Sequence, residues 1–87
     1  MRTFLVETYL SRAQAGELDD TVARLRAAAE MTSPSGDAVR YLRSTFVPED
    51  ETCFHVLEGP SLRAIAIVSE RAALSPIRIV EAQEELR

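Results

Sequence analysis

From Thr52 to Ala82 the chain reads TCFHVLEGPSLRAIAIVSERAALSPIRIVEA, and the punctuation inside that stretch leaves few options for its fold. Thr52 to Glu58 is rich in β-branched and aromatic residues, as strands are, and Gly59-Pro60-Ser61 stops it. Leu62 to Leu74 carries an apolar stripe of helical spacing, Leu62, Ile65, Ala66, Ser69, Ala72 and Ala73, whose small residues let a helix sit close to a sheet. Proline at the first helical position behind a glycine or serine cap accounts for Gly59-Pro60-Ser61 without an anion site. Ser75-Pro76 ends the helix, and Ile77 to Ala82 returns as a strand.

The upstream half repeats this plan. Thr3 to Leu10 alternates, with Phe4, Val6, Thr8 and Leu10 on one face and Leu5, Glu7 and Tyr9 on the other. Glu17, Asp19 and Asp20 place negative charge where the positive end of a helix dipole attracts it, and Leu18, Val22, Leu25 and Ala29 form one stripe. Thr32 to Asp37 consists of turn formers, with Pro34 ending the helix. Ala38 to Val47 is a second strand whose buried face is open between two sets, Val39, Tyr41, Arg43, Thr45 and Val47, or Arg40, Leu42, Ser44 and Phe46. The short Pro48 to Glu51 connection implies a hairpin into the next strand. Glu81 to Arg87 reads as an edge-strand extension or a frayed tail.

The order is therefore β-α-β, turn, β-α-β. With right-handed crossovers it predicts an α+β fold: a four-stranded antiparallel sheet, strands one and three central, both helices on one face. This is the ferredoxin-like βαββαβ arrangement, expected as a single domain over residues 1–87.

Composition removes several partner classes. A net charge of −4 without a basic stripe argues against nucleic acid. No apolar run approaches the roughly 20 residues of a membrane span. The lone cysteine, Cys53, cannot form an internal disulfide, and a cytoplasmic location is expected. The chain contains no phosphate-binding glycine loop, CxxC, HExxH or GxSxG motif.

With both helices on one side, the other sheet face must meet water or protein. Strand parity assigns Leu5, Glu7, Tyr9, Tyr41, Arg43, Cys53, His55, Leu57, Arg78 and Val80 to it, too apolar for a wet face and too charged for a dry core. Two such faces paired in a homodimer would bury the apolar members around a cavity. Glu7, Tyr9, Arg43, His55 and Arg78 are its expected ligand-binding residues, suited to a small anionic or amphipathic ligand. Glu7 and His55 are expected to face each other across one step of sheet, as an acid/base pair or as metal ligands.

FLVET in the first strand, AVRYLRS in the second, and FHVLEGPSLRAI followed by SERAALSPIRIVEA resemble a family of small ferredoxin-like, dimeric α+β-barrel proteins. Most members have no assigned function, and one actinobacterial member is described as nickel-binding. The resemblance covers most of the chain. It implies a dimer and adds two alternatives to a cofactor-free binding module: a divalent metal (nickel) binder using His55 and Glu7, and a cofactor-free enzyme with His55 as base. Relatives often read Trp-Leu-His-Ser where this chain has Tyr41-Leu42-Arg43-Ser44, and carry a cysteine where it has His55.

Overall fold

The computed structural model describes residues 1–33 and 38–85. The turn formers Pro34 to Asp37 and the last two residues of the tail lie outside the described residues. Strand β1 (Arg2–Tyr9) leads through a 3-10 turn (Arg12–Glu17) into helix α1 (Leu18–Thr32). Strand β2 (Arg40–Val47), a 3-10 turn (Pro48–Asp50) and strand β3 (Thr52–Gly59) follow, then helix α2 (Leu62–Arg71) and strand β4 (Arg78–Ala82). The strands form one antiparallel sheet in the order β2-β3-β1-β4, so β1 and β3 are central as expected.

Both helices cover one face. Phe4, Val6 and Leu57 rise from the sheet against Leu25, Ala28 and Ala29 of α1 and Ala64, Ile65 and Val68 of α2, all buried. Gly59 lies on this face beneath α2. A β-carbon there would stand 3.0 Å from Ile65 Cδ1 and 3.3 Å from Val39 Cγ2, so glycine is what admits the Ile65 side chain. In α1 the buried stripe is Leu25, Ala28, Ala29 and Thr32, with Leu18 and Val22 only half-buried.

Helix α2 departs from its predicted bounds and face. Ser61, not Pro60, begins it, accepting a hydrogen bond from the Ala64 N–H at 3.2 Å. The buried positions are Ala64, Ile65, Val68 and Ser69, whereas Leu62, in the first turn, is 47% exposed. The helix stops at Arg71, well before Pro76. Ala73 adopts φ 60°, its N–H bonds to the Glu70 carbonyl at 2.9 Å, and the Leu74 N–H bonds to the Ser69 carbonyl at 3.0 Å. That pattern closes a helix through a left-handed residue, a position usually held by glycine. Arg24 of α1 donates to the Ala72 carbonyl at 2.9 Å and so ties the two helices together at this end.

Candidate functional site

The antiparallel register decides which side chains can act together. Val6 pairs with His55, Phe4 with Leu57 and Thr8 with Cys53, which puts the odd positions of β3 on the helix face with the even positions of β1. His55, Cys53 and Leu57 are thus 1%, 1% and 0% exposed beneath the helices, not on the open face where parity had placed them. The reason is that β3 is apolar on both sides, and a one-residue change of register exchanges its faces. Glu7 pairs with Phe54 instead. Glu7 and His55 lie on opposite sides of the sheet, so within one protomer they can neither share a proton nor bind one metal ion. Among the described residues no three His, Cys, Asp or Glu side chains gather as a metal site.

Strand β2 contributes a second displacement. Tyr41 pairs with Leu57 but Arg43 with Val56, so Leu42 is an extra residue bulged out of the ladder. Without it Tyr41 and Ser44 would occupy opposite faces. With it both stand on the helix side, while Arg43 and Thr45 turn to the open side. Tyr41, expected on the open face, is instead half-buried with the Arg26 guanidinium 4.9 Å from its ring centre.

The bulge completes a chain of hydrogen bonds. Tyr41 Oη lies 2.6 Å from Ser44 Oγ, and Ser44 Oγ lies 2.6 Å from His55 Nδ1. On the other side of the ring, Nε2 is 3.4 Å from Thr8 Oγ1, which donates to the Cys53 carbonyl at 3.4 Å. A phenol is a better donor than an aliphatic hydroxyl, so the chain runs from Tyr41 to Ser44 to Nδ1 and leaves the ring proton on Nε2. Every member then donates once: Thr8 Oγ1 accepts from Nε2–H while its own hydroxyl donates to the Cys53 carbonyl. Burial lowers the His55 pKa to about 4, which keeps the ring neutral at physiological pH. Burial likewise pushes the Cys53 thiol up, away from the reactive thiolate.

A cavity of about 310 Å³ opens beside this ring, between the sheet and the ends of the helices. Thr8, Cys53 and His55 line it from the sheet, Leu18, Thr21 and Arg24 from α1, and Leu74 from the segment after α2. Ser44, Thr8, Thr21 and Arg24 were not singled out by sequence. Nothing in single-sequence periodicity marks a bulge, and the Ser44 and Tyr41 side of the His55 network follows from it.

The open face holds the other expected residues. Glu7, Tyr9, Arg43 and Arg78 do lie there, with Leu5, Phe54, Val56 and Val80. Arg78 donates to Glu7 at 2.8 Å, and Arg43 pairs with Glu84, which follows β4. An ion pair from β2 to a residue beyond β4 must span β3 and β1, whose side chains in that row are Val56 and Leu5. Val56 is 4% exposed on this face, which no helix covers. Tyr9 is 63% exposed.

Comparison with solved structures supports the fold. The crystal structure of SCO4226 from Streptomyces coelicolor A3(2) superposes with a TM-score of 0.79 at 20% identity, covering 97% of this chain and 99% of that one. No family model matches the chain, and no curated protein matches it. No described helix is long and apolar enough to cross a membrane.

Proposed function

We propose that the protein is a homodimeric binding module: two copies pair their open sheet faces and hold a small amphipathic ligand between them. The observation that carries this reading is the half-buried apolar row of Leu5 and Val80, with half-buried Phe54 beside it, on a face that no helix of the protomer covers. Such a row is worth burying, at roughly 25 cal/mol per Å² removed from water. The charged residues around it are already paired, Glu7 with Arg78 and Arg43 with Glu84, which lowers the cost of bringing a second sheet over them. An anionic head group would enter by replacing Glu84 on Arg43, with its apolar part along Leu5 and Phe54.

Light scattering at micromolar protein, followed by calorimetric titration with decanoate, tests both halves. A dimer mass and saturable decanoate binding that is lost in Arg43→Ala are the expected results. A monomer mass, or decanoate uptake indifferent to Arg43, removes the reading.

A further inference from the structure

The cavity beside His55 belongs to the helix side of the sheet and plays no part in the pairing of open faces. We propose that it is a second binding site, selective for a compact neutral molecule that has an apolar body and one hydrogen-bond acceptor, such as a carbonyl.

Three observations converge on that ligand class. The first is size: about 310 Å³ lies at the lower end of the roughly 300–1,000 Å³ range of small-molecule pockets, enough for a single-ring compound. The second is the hydrogen-bond chemistry of the sheet side. Ser44 occupies Nδ1, which leaves Nε2–H as the ring's free donor site; His55 lines the cavity while 1% exposed, and among the described residues Nε2 meets the long 3.4 Å contact to Thr8 Oγ1. A long contact of this kind gives way readily to a shorter one from a ligand oxygen. The donor is also fixed in direction, because Tyr41, Ser44 and the strand backbone hold the ring; little ordering entropy is lost on binding.

The third is charge. Among the described residues Arg24 is the one cation lining the cavity, and it is committed: to Asp20 at 3.1 Å, to the Ala72 carbonyl at 2.9 Å and to Thr21 Oγ1 at 3.3 Å. Glu17 lines the same cavity with a negative charge. A carboxylate entering would meet Glu17 without a free cation to offset it, whereas a carbonyl accepts from Nε2–H at no such cost. Leu10, Leu18 and Leu74 supply the apolar walls. The neutral state of His55 agrees with this polarity.

The test is a titration of isotope-labelled protein with acetophenone, benzamide and benzoate at pH 7, read by amide chemical shifts. Saturable shifts for acetophenone or benzamide at Thr8, Cys53, His55 and Leu74, with benzoate at least tenfold weaker, are expected. Thr21→Phe, which adds a ring at the half-buried wall of α1, should abolish those shifts while leaving the fold intact by circular dichroism. Thr8→Val, which keeps the branched shape and frees Nε2–H of its protein partner, should tighten binding of the carbonyl probes. The proposal is overturned if neither neutral probe saturates, if benzoate binds as well as benzamide, if Thr21→Phe changes nothing, or if the shifts map to Leu5, Phe54 and Val80. That last pattern would report the open face alone. Because the readout is residue by residue, a monomeric protein that still binds at Thr8 and His55 would sink the dimer and leave this site standing.

Discussion

Ser44 Oγ stands 2.6 Å from His55 Nδ1, and the two residues share a face of the sheet only because Leu42 is bulged out of β2. This one contact sets the tautomer of the single histidine, directs Nε2–H to the cavity and satisfies a ring that is 1% exposed. Its removal tests how much of the local order depends on it. Ser44→Ala leaves the buried Nδ1 without its donor, and should cost about 1–3 kcal/mol in urea unfolding. Thr45→Ala, next in sequence but exposed on the other side, should stay within about 0.5 kcal/mol of wild type. Equal effects at the two positions would contradict the network.

The buried imidazole should make stability depend on pH. Its pKa is lowered from 6.5 to about 4 by burial, so the unfolded chain binds a proton that the folded chain refuses. Stability from this group is complete above pH 6.5 and is lost as pH falls from there towards 4, by roughly 3 kcal/mol in all. Carboxylates titrate mostly below pH 5, so the interval from 5 to 6.5 isolates the histidine. Denaturation curves in that interval should show the slope in wild type and not in His55→Gln. A slope of the opposite sign would mean that the ring gains a proton on folding.

Ala73 sits at φ 60°, where an L-residue with a β-carbon is strained by about 1–2 kcal/mol. Ala73→Gly removes that strain at the cost of a more flexible unfolded chain, and should raise stability by about 0.5–1 kcal/mol. Thermal unfolding checks it. A loss of stability would show that the methyl group makes packing contacts worth more than the strain.

Leu57 and Phe54 separate the core from the open face. Leu57→Glu places a carboxylate at a position 0% exposed, and should prevent folding altogether. Phe54→Glu changes a half-buried residue on the open face, and under the proposed dimer it should give a folded monomer by light scattering with native circular dichroism. A folded Phe54→Glu dimer would place the interface elsewhere.

The sequence by itself determined the order of elements, the central position of β1 and β3, the hairpin through Pro48–Asp50 and the two helices, because these follow from local signals. Alternation in Thr3 to Leu10, the Gly59-Pro60-Ser61 break and the acidic first turn of α1 each act within a few residues. The open-face placement of Glu7 and Tyr9 was likewise legible, since β1 alternates cleanly, and Arg78 joins them by pairing with Glu7; Arg43 reaches that face through the bulge. The tertiary structure alone decided where His55 lies. Strand β3 is apolar on both sides, so its own residues do not rank the faces; the register against β1 does, and that register depends on side chains more than forty positions away. Gly59 carried the one local hint, since a glycine before α2 fits a strand face that the helix presses against. The bulge at Leu42 had no such hint, because it is settled by how β2 fits β3, and with it went Ser44 and Tyr41 as partners of the histidine.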